Sequence, residues 1–142
     1  MLKPDAVEKG LVDEIIQRLE NSGLAIKVKK KLTATKDMVL NHYSDSEDYL
    51  RSIGEKTLAS YKKMGLDPKK VFNSDQPEDI GRKVREWLSE YIVSGPVVAM
   101  IVEGAEGAIQ KIRDLAGKTN PAEADPGTIR GDLSDDSYGK SL

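Results

Sequence analysis

Residues 10–32 read GLVDEIIQRLENSGLAIKVKKKL, and this stretch has the pattern of a helix followed directly by a strand. Its first half carries apolar residues at helical spacing, which predicts a helix over about residues 10–21. Its second half alternates, which predicts a half-buried strand over residues 24–32 with Ile26 and Val28 on one face and lysines on the other. A helix next to such a strand indicates an α/β or α+β fold.

The same succession of helix and strand continues towards the C-terminus. Residues 80–92 have the clearest amphipathic helical pattern of the chain. Residues 97–102, VVAMIV, form a short apolar run between Pro96 and Gly104, and we expect a strand buried on both faces. A further helix is predicted over residues 108–116. Together these elements predict helices packed on a small sheet.

Two segments depart from this succession. Residues 44–79 are rich in Ser, Asp, Glu and Lys, contain one helix-like stretch over about residues 47–64, and end in strong turn signals. We interpret them as an insertion within a single domain that spans residues 1–142. Residues 117–142 contain prolines and glycines without an apolar period, which is typical either of an ordered functional loop or of a disordered tail.

Composition excludes several classes of protein. The 142 residues include no cysteine and one histidine, His42, which excludes disulfides, thiolate nucleophiles, cysteine-rich metal sites and a histidine-rich metal site. Neither an apolar run of about 18 residues nor a signal peptide is present, so we expect a cytoplasmic protein with no membrane partner. Lys and Arg number 22 against 24 Asp and Glu, and this balance argues against nucleic-acid binding.

Several cations stand beside rigid turns. Lys3 precedes Pro4, Arg113 lies just before Gly117, and Arg130 lies between two glycines of a loop. Arginine forks, a lysine and hydroxyl groups on stiff backbone are the groups that recognise phosphate. Each cation could equally belong to the ordinary charged surface, so the residues alone leave both interpretations open.

Six blocks of sequence, in the same order, resemble the nucleoside diphosphate kinase family. They are KPDAV at residue 3, HY at residue 42, SGPVVAM at residue 94, EG at residue 103, TNP at residue 119 and PGTIRGD at residue 126. The resemblance implies a ferredoxin-like α/β sandwich. It also implies transfer of the γ-phosphate from a nucleoside triphosphate to a nucleoside diphosphate through a phosphohistidine, in a ping-pong reaction that depends on magnesium.

The resemblance also implies roles for residues at the phosphates. Lys3 matches the lysine that contacts the ribose and the phosphates, and Tyr43 matches a residue beside the transferred group. Arg113, Thr119 and Arg130 match the residues that clamp the β and γ phosphates. Such a clamp suits phosphoryl transfer, which depends mainly on positioning and on neutralising charge.

Two further positions match the contacts with the base. Leu88 corresponds to an apolar contact, and Val84 stands where the family usually has a stacking phenylalanine. Base stacking should therefore be weaker here. Contact without recognition of the base edges implies an enzyme that tolerates all bases.

The resemblance fails at two places. Residues 44–79 exceed the compact family pattern, and we expect a solvated helix hairpin near the nucleotide mouth. The family's nucleophilic histidine lies in an Asn-x-x-His segment beyond the PGTIRGD block, and this sequence ends at Leu142 before such a segment. We therefore expect a domain truncated at both ends and inactive as printed, with His42 in a structural role.

An alternative function is a catalytically inactive member of the family that binds nucleotides or acts as a scaffold. In either case the resemblance implies a homo-oligomer, either a tetramer or a hexamer.

Overall fold

The computed structural model describes residues 1–134, and it divides the chain into two compact units. One unit contains Met1–Thr33 together with the described chain from Gly95, and the other contains Ala34–Ser94. The elements, in chain order, are α1 (Pro4–Glu8), α2 (Val12–Asn21), β1 (Ala25–Thr33), α3 (Lys36–His42), α4 (Glu47–Lys63), α5 (Pro68–Phe72), α6 (Pro77–Val93), β2 (Pro96–Glu103), α7 (Ala108–Ala116), a 3₁₀ turn (Pro121–Glu123) and α8 (Ile129–Leu133).

The first unit is built on an antiparallel sheet of two strands, β1 and β2. Leu2 extends this sheet by one bridge, since its N–H donates to Val98 at 2.8 Å and its carbonyl accepts from Val98 at 3.0 Å. Helices α1 and α2 pack against the strands. The predicted α+β architecture, with a small antiparallel sheet and helices upon it, is therefore confirmed.

A cluster of apolar side chains joins helix α2 to one face of this sheet. Its buried members are Ile15, Leu19 and Leu24, and the strand residues Ile26, Met100 and Val102 pack against them while remaining partly exposed. The helical spacing of Ile15 and Leu19 places both side chains on the face of α2 that meets the sheet. The helix and strand predicted from residues 10–32 are thus confirmed, with bounds that differ by one or two residues.

The prediction that strand β2 is buried on both faces was wrong. Val97 and Val98 are buried, but Ile101 is 61% exposed. Successive side chains of a strand point to opposite faces, so Met100 and Val102 reach the apolar cluster while Ile101 points away from it.

A shift of register in β1 explains a second difference. Ile26 pairs with Val102 and Val28 pairs with Ile101, so Lys27 is an extra residue between them. An extra residue reverses the faces of those that follow. Val28 is consequently 51% exposed beside Ile101, whereas we predicted that it shares a face with Ile26.

The second unit consists of helices α3 to α6, of which α4 and α6 form the largest packing interface. The predicted helices over residues 47–64 and 80–92 are confirmed, although α6 begins earlier, at Pro77. Proline is well tolerated at the first position of a helix because its missing N–H has no partner there. Residues 44–79, predicted as an insertion, lie within this unit and also contain the short helix α5.

Two short segments near the chain ends are more regular than we predicted. Pro4 begins helix α1, where we expected only a turn. Residues 117–134 contain the 3₁₀ turn and α8, while residues 135–142 of the predicted loop or tail lie outside the described residues. Across residues 1–134, no helix has the length and apolar character needed to cross a membrane.

Candidate functional site

A cavity of about 550 Å³ in the first unit combines a charged side with an apolar side. The charged and polar side contains Lys3, Thr119 and Arg130, three of the residues that sequence analysis proposed for phosphate binding. Asp5 and Lys9 also line it. The apolar side is formed by side chains around the α2 cluster, which are Leu2, Leu11, Ile15, Leu19, Met100, Val102, Ile112 and Leu133.

Lys3 is held at the cavity by the backbone on either side of it. Leu2 is hydrogen-bonded to Val98, and Pro4 is buried at the start of α1. Burial lowers the pKa of the Lys3 ammonium group, Asp5 acts in the opposite direction, and the charge of Arg130 lowers the pKa further. A poorly solvated ammonium group beside a second cation is stabilised by a bound anion.

Arg130 lies in the first turn of α8, and its guanidinium group is anchored within the protein. Its Nη1 donates to the carbonyl oxygen of Gly117 at 2.7 Å. Burial lowers the pKa of Arg130, but an arginine remains charged in proteins. Because one donor is used for anchoring, the others of the planar fork keep a defined orientation, which favours bidentate binding of an anion.

Gly117 and Thr128 fix the loop that carries Arg130. A Cβ on Gly117 would lie 2.5 Å from Oγ1 of Thr128, and the φ of Gly117 is +78°, so both space and backbone conformation require glycine. The Thr128 hydroxyl donates to the carbonyl of Asp125 at 2.6 Å and accepts the N–H of Gly131 at 3.1 Å, which caps α8. The chain is therefore rigid on both sides of the anchored guanidinium group.

Arg113 differs from the other three predicted phosphate ligands. It lies in the last turn of α7 and is not among the residues that line this cavity. Its side chain is exposed, as is that of Thr119. Its carbonyl accepts the N–H of Gly117 at 3.0 Å, so its backbone belongs to the same turn.

The remaining predicted site residues lie in the second unit. Tyr43 follows α3 and is half-buried, and this burial raises the pKa of its phenol, with a smaller contribution from Tyr49. Its carbonyl accepts a hydrogen bond from Nε of Arg85 at 2.9 Å. Val84 is only 3% exposed, so it offers almost no surface to a base, whereas Leu88 is half-buried. The base contacts of both stay predictions.

His42 is exposed at the end of α3, with its ring centroid 4.9 Å from that of Tyr43 in an edge-on arrangement.

Asp5 and Lys9 are cavity residues that we did not predict from the sequence. Asp5 could have been found, because it belongs to the KPD block, but no sequence pattern singles out Lys9.

A second cavity, of about 600 Å³, lies beside the start of α7 and is less suited to an anion. Of the described residues that line it, Lys111 is the one cation, and its Nζ donates to the carbonyl of Ser22 at 2.5 Å. Two carboxylates, Glu106 and Asp114, share this lining.

Fold and cavity together define an α+β protein with a cavity that Lys3, Lys9 and Arg130 line on one side, and comparison with known proteins identifies its family. The model of the nucleoside diphosphate kinase family matches residues 1–53 and 55–140. The nucleoside diphosphate kinase of Pyrobaculum aerophilum is 44% identical over 137 residues, which are 96% of this chain and 74% of that protein. That of Archaeoglobus fulgidus is 41% identical over 133 residues, 94% of this chain and 66% of that protein. The chain belongs to the nucleoside diphosphate kinase family.

Solved structures agree with this assignment. A crystal structure of the Pyrobaculum aerophilum NDP kinase has a TM-score of 0.90 to this chain at 44% identity, and the match covers 96% of this chain and 74% of that one. The enzyme from Borrelia burgdorferi, a transition state mimic with bound vanadate and ADP, has a TM-score of 0.67 at 31% identity and is matched over 64% of its length. The predicted ferredoxin-like fold is confirmed by these neighbours.

Proposed function

We propose that this chain carries the nucleotide-binding part of a nucleoside diphosphate kinase, which transfers the γ-phosphate of one nucleoside triphosphate to another nucleoside diphosphate. The observation that supports this most is the convergence of Lys3, Thr119 and Arg130 on one cavity in a member of this family. A phosphate chain brings several negative charges, and two cations on anchored backbone compensate them with little loss of conformational freedom, while the nearby hydroxyl adds a hydrogen-bond donor.

Lys3 and Arg130 are proposed to neutralise the charge on the phosphate oxygens, with Thr119 as a hydroxyl donor. Arg113 is proposed as a further phosphate ligand, and Tyr43 as a neighbour of the transferred group. Held in place before the reaction, such groups stabilise the charge that spreads over the equatorial oxygens in the transition state. Leu88 is the better candidate for the base contact, since Val84 is buried.

Magnesium is proposed to enter with the nucleotide. Among residues 1–134, Asp5 is the carboxylate that lines the cavity, and no group of three or more metal-ligating side chains is found there. Magnesium prefers six oxygen ligands and is commonly bound through substrate phosphates and few carboxylates. The donors present thus fit a magnesium–nucleotide complex, in which the metal offsets phosphate charge, and Asp5 is the side chain that could hold it or its water.

Phosphohistidine formation is part of the proposed reaction, but His42 is not the proposed nucleophile. His42 is the single histidine of the 142 residues, and it belongs to the HY block. The family resemblance assigns the nucleophile to an Asn-x-x-His segment that this sequence does not contain. We therefore propose that the chain as printed binds nucleotides without transferring phosphate, and that the complete activity requires that segment. Cytoplasmic location and a homo-oligomeric state, as a tetramer or hexamer, belong to the same proposal.

Titration calorimetry of this chain with adenosine, AMP, ADP and ATP in the presence of magnesium tests the binding. Affinity should increase with each phosphate, because the cationic side of the cavity is proposed to bind the phosphates. Equal affinity for adenosine and ADP would contradict a phosphate site.

Incubation with radiolabelled ATP tests the chemistry separately. The chain as printed should acquire no acid-labile label, and label that disappears in the His42→Gln variant would assign the nucleophile to His42 instead. A longer form that contains an Asn-x-x-His segment should become labelled, and a longer form that binds ADP but stays unlabelled would favour the alternative, an inactive binding or scaffolding member.

A further inference from the structure

Helix α2 and helix α8 are joined by an ion pair between residues 114 positions apart in the sequence. Nη1 of Arg18, on α2, donates to Oδ2 of Asp132, on α8, at 2.6 Å. Nη2 of Arg18 donates to Glu14 at 2.9 Å, one turn earlier on the same helix. Arg18 thus has one local partner and one distant partner, and only the distant one concerns the loop at the cavity.

Asp132 uses its second oxygen to hold that loop. Its Oδ1 accepts the backbone N–H of Gly127 at 2.8 Å. This hydrogen bond, followed by that from Arg18, lowers the pKa of the Asp132 carboxyl group, so the group is a carboxylate at neutral pH. The carboxylate therefore connects the turn before α8 with helix α2.

Arg130 lies in the chain between Gly127 and Asp132, the two residues that this hydrogen bond joins. Helix α8 has five residues, and a helix of this length has little stability of its own in water. Its orientation depends on the contacts that it makes: the Thr128 cap, the Asp132 carboxylate and the Arg130 anchor at Gly117. Loss of the Arg18 contact would leave Asp132 attached only to its own loop.

We propose that Arg18 and Asp132 are positioning residues, which hold helix α8 so that Arg130 keeps the orientation required to bind nucleotide phosphates. This inference rests on the proposed function for its phosphate ligand. Neither residue lines the cavity, so both act through Arg130 and not by contact with the nucleotide.

Arg18→Gln and Asp132→Asn test this proposal. Each variant should bind ADP and inorganic tripolyphosphate about tenfold more weakly, as expected when charge-assisted hydrogen bonds to phosphate lose their geometry. Affinity for adenosine should stay unchanged. Arg18→Lys should recover part of the loss, because lysine restores the charge but not the fork. A merely structural role would weaken adenosine and ADP binding equally.

Two control variants each remove one ion pair of the same unit but leave the Arg18–Asp132 pair intact. Glu14→Gln deletes the local partner of Arg18, and Lys27→Gln deletes an exposed pair with Glu103. Both should bind ADP as the parent protein does. If Glu14→Gln weakens ADP binding as much as Arg18→Gln, the assignment to the α2–α8 connection is wrong.

Amide hydrogen exchange without nucleotide provides a second measurement. In Arg18→Gln and Asp132→Asn, the amides of Gly127 and Gly131 should exchange at least about tenfold faster, since their hydrogen bonds open more often. Unchanged exchange overturns the proposal. If the parent protein does not bind ADP, the proposed function fails, while the exchange rates still show whether Arg18 holds α8.

Discussion

Gly54 of helix α4 lies directly against Pro77 at the start of helix α6. A Cβ built on Gly54 would come well under 3.0 Å from the Pro77 carbonyl oxygen, a separation that real Cβ atoms do not show. Gly81 meets the backbone of Leu50 in the same way, so the two helices approach each other backbone to backbone at two points. The order of these contacts makes α4 and α6 antiparallel.

Gly54→Ala should therefore destabilise the second unit strongly. The obstructing atoms belong to backbone, which cannot rotate away as a side chain can, so the helices must separate at a cost of about 3 kcal/mol or more. Urea unfolding followed by circular dichroism measures the loss. Glu55→Ala, at the exposed neighbouring position, should change the free energy of unfolding by less than about 0.5 kcal/mol. Similar stability of the two variants would disprove the close packing.

The elements that could be predicted from sequence are those with a long apolar period. Helices α2, α4 and α6 carry such periods. The extra residue at Lys27 could not be predicted, because alternation looks the same with or without a register shift. The exposure of Ile101 could not be predicted either, because a continuous apolar run does not show whether one or both faces of the strand are buried.

Part of the candidate site could also be predicted, but from the sequence blocks of the family and not from apolar periodicity. Sequence blocks identified Lys3, Thr119 and Arg130, but only folding brings positions near both chain ends to one cavity. Arg18 and Asp132 escaped notice because Arg18 also pairs with Glu14 at helical spacing, which resembles an ordinary surface pair. Their ion pair depends on tertiary structure, and no local pattern encodes it.

Phe72 is expected to hold together the aromatic cluster of the second unit. Its ring centroid lies 5.3 Å from that of Tyr61 and 5.3 Å from that of Trp87. We expect Phe72→Ala to cost about 2 kcal/mol in the free energy of unfolding, less than for a fully buried ring because Phe72 is half-buried. Emission of Trp87, the single tryptophan, should shift to longer wavelength as water gains access.

Val71→Ala is the matched control for the aromatic cluster. Val71 is 50% exposed in the same short helix, α5, so its truncation should leave both stability and tryptophan emission nearly unchanged. An emission spectrum that stays the same in Phe72→Ala would show that the ring does not shield Trp87.

Lys3 should give nucleotide binding an alkaline limit. Burial lowers its pKa below the ordinary value of 10.5, so in the unliganded protein the ammonium group loses its proton at a lower pH than a free lysine does. Bound phosphate favours the charged form, so the affinity for ADP should fall as pH rises through this lowered pKa. In Lys3→Arg the fall should disappear, because arginine stays charged. Calorimetry between pH 7 and pH 10 is the measurement, and an identical pH profile in both proteins would rule out Lys3 as its cause.

The lowered pKa of Lys3 should also make the free energy of unfolding depend on pH in the absence of nucleotide. Here the effect has the opposite direction: stability rises with pH, whereas ADP affinity falls. A lysine whose pKa is lower in the folded than in the unfolded state opposes folding while both states are protonated. Stability should therefore rise with pH between the lowered pKa of Lys3 and 10.5, and the Lys3→Gln variant should lack this rise. Thermal unfolding of the two proteins across that window checks the effect.

Variants of Arg130 should distinguish the effect of charge from that of geometry at the proposed phosphate site. Arg130→Gln removes the charge and should weaken ADP binding by about 10- to 100-fold, the range for loss of hydrogen bonds to charged groups. Arg130→Lys keeps the charge, but a lysine cannot contact the Gly117 carbonyl and a phosphate at the same time, nor bind a phosphate in bidentate fashion. The ADP affinity of this variant should therefore lie between those of the parent protein and Arg130→Gln. Lys118→Gln changes an exposed cation that does not line the cavity and should bind ADP normally. Equal affinities in Arg130→Lys and the parent protein would show that charge alone suffices, and that the anchored fork has no part in recognition.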